Sequence, residues 1–245
     1  YLQMNLKREQ TSNLDVRRGI SLAINRQQIV DVALGGYSKV ATTFYPTEIP
    51  WAANTNPDAM VPQYDPEAAK AALDAAGFPL NGDSRFKLTF IHFTLGSEYA
   101  DIAAIIKQNL EDVGIAVEIV ALEIGAFSDR ALAGDFDLNV ISGLWGPDPE
   151  NLKIRVGTGG AVNTSFYSNP EVDKLLDEGS TITDTEARAA KYWEVQRILA
   201  QDLPISPLAT QVLFYPHADR VHGLPFDEGI GRVGLNRFTV TTIED

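Results

Sequence analysis

The stretch LNVISGLWGPDPEN, residues 138–151, contains the pattern that indicates the fold class. Its first half is an apolar run typical of a buried strand, and Gly143 interrupts that run. Trp145 follows, and then the turn-forming residues 146–149 with the sequence Gly-Pro-Asp-Pro. Asp followed by Pro is a common helix start, so the pattern predicts a strand, a loop and then a helix.

Asp148 and Trp145 have two interpretations. Ligands of open α/β sheets bind at the carboxyl ends of strands, where an aromatic ring beside a carboxylate is a plausible ligand contact. Alternatively, Asp148 is the N-cap of the following helix and Trp145 belongs to the core. The residue types alone favour the cap. The two roles are compatible, because a capping carboxylate keeps one oxygen for a ligand.

Composition excludes several classes of protein. The 245 residues include 33 acidic and 20 basic side chains, and the net charge of −13 opposes binding to nucleic acid or anionic membranes. No uninterrupted apolar run is long enough to span a bilayer. The sequence contains 0 cysteines, which excludes disulfides, thiolate metal sites and cysteine nucleophiles.

Strand and helix patterns alternate ahead of the opening stretch. Residues 86–90 and 115–121 alternate as strands, and residues 102–113 have the apolar spacing of a helix. A short helix is predicted over residues 126–133, before the strand that begins at Leu138. Strand, helix, strand, helix, strand predicts an α/β fold with a mainly parallel sheet flanked by helices.

Capping residues predict further helices. Asp65 followed by Pro66 and Glu67 is typical of an N-terminus, and the sequence Thr-Asp-Thr-Glu at 183–186 is read as a capping box. Two short helices are predicted after Asp15, ending at Gly35 and Gly36. Residues 205–215 have the composition of a strand that Pro207 interrupts.

Catalytic and metal-binding patterns are weak. The histidines, His92, His217 and His222, lack the spacing of a metal site, so neither a metal nor a cofactor is expected. No Gly-x-Ser-x-Gly nucleophile motif is present. The carboxylate pair Asp148 and Glu150 keeps one alternative open, a secreted carbohydrate-active hydrolase. Another alternative is a protein-interaction module with an apolar cleft.

Six stretches, taken in order, resemble one family: the solute-binding proteins of bacterial ABC importers for peptides and nickel. The resemblance covers nearly the whole chain and is to the second half of those proteins. The stretches are VRRGISLAINRQQIVDVALGG, YDPEAAKAALDAAGFP, LEDVGIAVEIVALE, DRALAGDFDLNVISGLWGPDPENL, YSNPEVDKLLDEG and AQDLPISPL.

The resemblance implies a periplasmic-binding-protein-like lobe. Residues 1–215 would form the second ligand-binding lobe, and residues 216–245 would return to pack on a first lobe that this chain lacks. The complete protein would capture a small ligand, an oligopeptide, opine or oligosaccharide, and deliver it to a membrane permease. It would be a periplasmic or other extracytoplasmic, membrane-associated protein without catalytic activity.

The resemblance also implies ligand contacts. Peptide-binding members carry a carboxylate three residues after a tryptophan, a spacing that Trp145 and Asp148 match. The usual second Asp-Pro is missing, so Asp148 corresponds either to that carboxylate or to the structural aspartate of the motif. Residues 92–94 read His-Phe-Thr where dipeptide binders carry an arginine, which argues against a dipeptide ligand. The remaining predicted contacts are Gly143 and Leu144 beside the tryptophan, and Phe44, Tyr45 and Trp51.

Overall fold

A five-stranded sheet forms the centre of the fold in the computed structural model. The structure describes residues 1–143, 146, 148–210, 212, 216, 218–222, 226–227, 232–233 and 242–243. The strands from the start of the chain are β1 Leu2–Met4, β2 Lys39–Val40, β3 Phe86–Phe93, β4 Ile115–Leu122, β5 Leu138–Val140, β6 Ile205–Ser206 and β7 Ala209–Thr210. Two short antiparallel pairs follow, β8 Val221–His222 with β11 Thr242–Ile243 and β9 Phe226–Asp227 with β10 Arg232–Val233.

Helices surround this sheet. They are α1 Glu9–Ser12, α2 Leu14–Ala23, α3 Arg26–Gln28, α4 Pro66–Ala75, α5 Ser97–Glu111, α6 Ile124–Ala133, α7 Lys153–Val156, α8 Pro170–Thr181 and α9 Thr185–Asp202. A π-helical turn covers Ile29–Ala33, and 3₁₀ turns cover Pro57–Ala59 and Pro149–Leu152. Within the described residues, none of the helices combines the length and apolarity needed to cross a membrane.

The strand order is β4-β3-β5-β1-β6, and β3 pairs in parallel with both β4 and β5. The β3–β4 register runs from Phe86 opposite Ile115 to Phe93 opposite Leu122, and α5 forms the crossover between the two strands. The predicted mainly parallel sheet is confirmed. β3 is apolar along most of its length because side chains on both of its faces are buried, as expected for a strand covered on both sides.

β1 departs from the parallel arrangement. It lies between β5 and β6 and pairs antiparallel with both, with Leu2 opposite Val140 on one side and Ser206 on the other. Leu2 and Met4 are fully buried, and so is Gln3 between them. The Gln3 amide nitrogen donates to the Val162 carbonyl oxygen at 3.1 Å, which gives this buried polar group a partner.

Of the helix caps predicted at Asp65 and at residues 183–186, the first is confirmed and the second is corrected. The Asp65 carboxylate accepts from the amides of Glu67 and Ala68 at 3.1 and 2.9 Å, so it is the N-cap of α4. The predicted capping box at 183–186 is wrong in detail. Asp184, not Thr183, caps α9, because the helix begins one residue later and the Asp184 carboxylate accepts from the Ala187 amide at 2.9 Å.

Two other boundaries differ from those expected. α6 begins at Ile124, two residues before its predicted start. The helix predicted after Asp148 is instead a 3₁₀ turn followed by the short helix α7. Pro207 does interrupt the predicted strand over 205–215, since β6 ends at Ser206 and β7 begins at Ala209.

Candidate ligand site at the carboxyl edge of the sheet

The carboxyl ends of the parallel strands meet at one edge of the sheet. β3 ends at Phe93, β4 at Leu122 and β5 at Val140. Backbone hydrogen bonds of 3.0 and 3.1 Å join Tyr1 and Ile141 in both directions, so the segment that enters β1 lies at the same edge. This is where open α/β sheets bind ligands.

A pocket that is partly open to solvent lies at this edge. Its wall is mainly apolar and consists chiefly of Ile29, Leu34, Ile102, Val140, Ile141 and Leu208. Four residues bring polar groups to it, namely Tyr1, Glu98, Tyr99 and Ser142. A few polar groups on an apolar wall are typical of small-molecule sites.

Tyr99 anchors one wall of the pocket. Its hydroxyl hydrogen-bonds to the Ser142 hydroxyl, and its ring centroid lies 4.1 Å from that of Phe93. Burial raises the pKa of Tyr99, the nearby charge of Glu98 adds to the effect, and the bond to Ser142 opposes it. The Tyr99 hydroxyl therefore stays protonated at neutral pH and ties α5 to the loop after β5.

The π-helical turn supplies another wall. The amide of Leu34 donates to the Ile29 carbonyl at 3.2 Å, five residues back, and both side chains line the pocket. Turns of this kind are rare in helices and occur frequently at functional sites. The sequence pattern predicted an ordinary helix here, because the apolar spacing does not distinguish the two.

Asp148 lies a few residues beyond the pocket in sequence and accepts several hydrogen bonds from the protein. Its Oδ1 accepts from the Glu150 amide at 2.9 Å, which makes Asp148 the cap of the 3₁₀ turn. The Arg188 guanidinium binds both carboxylate oxygens, at 2.7 and 2.9 Å. Burial acts to raise the pKa of Asp148, but the hydrogen bonds from Arg188 and Glu150 outweigh it and lower the pKa.

Arg188 is a residue that the sequence reasoning missed. Its Nε donates to the Gly179 carbonyl at 2.9 Å, and its guanidinium carbon lies 5.8 Å from the ring centroid of Trp51 and 5.5 Å from that of Tyr192. These distances are those of cation–π contacts. No sequence signal identified Arg188, because its carboxylate partner is 40 residues away in the chain.

Tyr45 belongs to the same neighbourhood. Its hydroxyl donates to the Gly146 carbonyl at 2.6 Å, which holds the loop that leads to Asp148. Burial raises the pKa of Tyr45, and the charges of Asp148, Arg155 and Arg188 all act on it. The structure thus brings three predicted contacts, Tyr45, Trp51 and Asp148, together around Arg188.

Arg155 connects this cluster with the pocket. It is buried, and its Nη1 donates to the Asn151 carbonyl at 2.9 Å. Burial raises the pKa of the Tyr1 side chain, and the charge of Arg155 acts to lower it. A side chain at Gly143 would meet the Arg155 guanidinium at 2.9 Å, so Gly143 permits their close approach. Gly143 therefore has a packing reason to be glycine, and its ligand contact stays a prediction.

The other predicted contacts differ in accessibility. Phe44 and Tyr45 are each only 1% exposed and belong to the core, whereas Trp51 packs against the core and is partly buried. Core packing accounts for Phe44 and Tyr45 without a ligand. The ligand-contact roles of all three remain predictions. Leu144 and Trp145 lie outside the described residues.

Histidine and carboxylate side chains are the groups through which the described residues could bind a metal ion. That part of the chain contains no cluster of three or more histidine and carboxylate side chains that could hold a metal ion. His92 is buried, and its Nδ1 lies 3.1 Å from the Phe93 carbonyl oxygen. His217 lies outside the described residues.

Comparison with known proteins relates this architecture to one family. Residues 1–162 match the family described as bacterial extracellular solute-binding proteins, family 5 Middle. Di/tripeptide-binding protein 1 of Pseudomonas aeruginosa is 28% identical over 244 residues, which cover 97% of this chain and 44% of that protein. Heme-binding protein A of Haemophilus influenzae is 28% identical over 228 residues, covering 91% and 41% respectively.

A solved structure gives the same relationship. The periplasmic binding protein DppA of Helicobacter pylori, an ABC-transporter-associated protein determined in complex with the peptide STSA, matches with a TM-score of 0.80 and 28% identity. The match covers 100% of this chain and 47% of that protein. The chain therefore spans less than half the length of each of these three relatives.

Proposed function

This chain belongs to the bacterial extracellular solute-binding proteins of family 5, and we propose on that premise that it is one lobe of a two-lobe ligand-capture protein. The complete protein binds a small ligand between its lobes and presents it to the membrane permease of an ABC importer. Members of this family are substrate-binding transport proteins rather than enzymes. We place the complete protein in the periplasm or on the outer face of the membrane.

The observation that carries this proposal is the pocket at the carboxyl edge of the sheet. An apolar wall with a few polar groups, open on one side, is what one half of an interlobe cleft requires. A ligand that contacts both lobes favours the closed arrangement, since it gains contacts there that the open form lacks. Closure is then the signal that the permease recognises.

The proposed ligand is a small peptide or peptide-like molecule. Opines and oligosaccharides are further candidate ligands to be tested. Relatives whose names specify di- or tripeptides, and a neighbour solved with the peptide STSA, support peptides. Trp145, Leu144 and Gly143 are proposed to line the cleft beside the pocket. Asp148 is proposed to contact a cationic ligand group only through those lone pairs of its carboxylate oxygens that the hydrogen bonds from Arg188 do not occupy.

The hydrolase alternative has less support. A general acid needs a pKa near its working pH, whereas the hydrogen bonds of Arg188 and Glu150 lower the pKa of Asp148. Release of reducing sugar by the purified protein, abolished by Glu150→Gln, would restore that alternative.

The first experiment uses the protein expressed from its complete reading frame. Thermal unfolding is followed with di- and tripeptides, oligosaccharides and opine-type conjugates, and calorimetry measures the affinity of each hit. A ligand at 100 times its Kd stabilises the folded state by about 2.7 kcal/mol, so true binding raises the midpoint with concentration. A panel in which nothing shifts the midpoint would contradict the proposal.

A further inference from the structure

We propose that the pocket selects ligands in which a cationic group lies next to an apolar one, and that the Glu98 carboxylate is the contact for the cation. This inference rests on the proposed function, because it specifies the chemistry of the ligand that enters the same cleft. It assigns a specificity role to a residue that the sequence patterns did not identify.

Glu98 is the charged side chain of the pocket. It lies in the first turn of α5 and lines the pocket together with Tyr99 and Ile102 of the same helix. A side chain at Gly96 would collide with the Glu98 carboxylate, so Glu98 folds back over Gly96. Gly96 has a φ of +88°, which favours glycine and keeps this approach open.

Glu98 has no protein cation to neutralise it among the residues that the structure describes. Other carboxylates do have partners, such as Asp148 with Arg188 and Glu178 with Lys191. The hydroxyls of Tyr99 and Ser142, which also line the pocket, bond to each other. A partly buried carboxylate in an apolar pocket is stabilised by a bound cation, because that cation replaces the water it loses.

The rest of the pocket wall determines which ligand group can lie next to the cationic group. Ile29, Leu34, Ile102 and Leu208 offer aliphatic surface and no hydrogen-bonding side chain. That surface favours an aliphatic or aromatic group, in the same pocket as Glu98. An acidic ligand group is opposed both by Glu98 and by the net charge of −13. A peptide with a leucine-like residue beside an ammonium group meets these requirements.

The test measures peptide affinity by calorimetry with the protein from its complete reading frame. Leu-Lys-Leu is compared with Leu-Glu-Leu for the side-chain charge, and Leu-Leu-Leu with its N-acetyl form for the terminal ammonium. Each pair is measured with wild type, Glu98→Gln and Glu98→Lys. Asp101→Asn is the matched control, because Asp101 is an exposed carboxylate on the same helix and does not line the pocket.

We expect wild type to prefer the cationic member of at least one pair by about tenfold, as one charge-assisted hydrogen bond provides. Glu98→Gln reduces that preference at least fivefold, Glu98→Lys reverses it, and Asp101→Asn leaves it unchanged. Peptide binding whose charge preference is the same in wild type and Glu98→Gln overturns this inference and leaves the proposed function standing. Failure of every peptide to bind wild type overturns this inference, whereas the proposed function is overturned only if the wider ligand panel also fails to bind.

Discussion

Asp148 accepts three hydrogen bonds, two at Oδ1 and one at Oδ2. A carboxylate has about four lone-pair sites, so some capacity remains, mainly at Oδ2. The side chains of Asp148 and Arg188 are 44% and 17% exposed, so solvent screens their attraction and the ion pair alone stabilises the fold only modestly. The greater part of the Asp148 contribution is expected from the cap.

Replacing Asp148 by alanine tests how much the cap and the ion pair together contribute to the stability of the fold. We expect the free energy of unfolding to fall by about 1–2 kcal/mol, from the lost cap and the lost ion pair. Chemical denaturation at neutral pH measures the change. Asp129→Asn is the control, because that carboxylate is exposed and has no hydrogen bond or ion pair among the described residues. Weaker ligand binding at unchanged stability would instead support the ligand-contact role.

The pH dependence of the same residue has a defined sign. The pKa of Asp148 is lowered in the folded protein, so its ionised form stabilises the fold at neutral pH. That stabilisation is fully present above about pH 4, the ordinary pKa of an aspartate, and is lost as pH falls below it. The stability difference between wild type and Asp148→Asn should therefore narrow in acid, and a constant difference would contradict this account.

Residue roles were predictable from the sequence where they are local. The Asp65 cap and the Asp148 cap depend on amides two or three residues away, and the sequence pattern identified both. Arg188 depends on a contact across 40 residues, for which one sequence gives no signal. Glu98 follows the carboxyl end of β3, so its sequence position is a local signal of the same kind as that of Asp148 after β5.

At the scale of elements, the packing of α8 on α9 positions Arg188. Gly179 lies where a side chain would approach the Tyr192 ring at 2.9 Å, so the two helices pack closely at this point. Its carbonyl oxygen also accepts the hydrogen bond from Arg188 Nε. Close helix packing and the arrangement of the Asp148 ion pair are therefore linked through one glycine.

Gly179→Ala tests this link. The added methyl group is expected to cost about 1–3 kcal/mol through overpacking, against a gain of about 1 kcal/mol in helix propensity, so the variant should be less stable. Gly125→Ala in α6 is the matched control, because no atom lies within 4 Å of its added methyl group. That variant should gain about 0.4–1 kcal/mol. Thermal unfolding of both compares them, and equal shifts would refute the packing argument.

Helices and strands, like single residues, were predictable where nearby residues determine them and not where distant contacts do. The parallel strands β3, β4 and β5 were predictable because each is a continuous or alternating apolar segment separated by a helical pattern. The antiparallel direction of β1 was not, because it is set by pairing with segments more than 130 residues away. The π-helical turn was also missed, since its apolar spacing resembles that of an α-helix.

At the scale of the whole molecule, the pocket and the carboxyl edge of the sheet give this lobe one functional face. We keep the prediction that residues 216–245 pack on the first lobe of the complete protein. Hydrogen exchange compares the complete protein with residues 1–245 alone. We expect amides of the 216–245 segment to be protected more strongly when the first lobe is present. Equal protection in both would assign that segment to the present lobe.

The position of β1 in the sheet has a consequence for biosynthesis. Its hydrogen-bonding partners are residues 138–140 on one side and 205–206 on the other. At about 5–20 residues per second, synthesis from β1 to β6 takes roughly 10–40 s. Throughout that interval, one side of β1 has no sheet partner, and the apolar residues beside it depend on chaperones or transient contacts. Wherever the chain folds, the lobe cannot complete its sheet until residues 205–206 are available, and these follow the described helices in sequence.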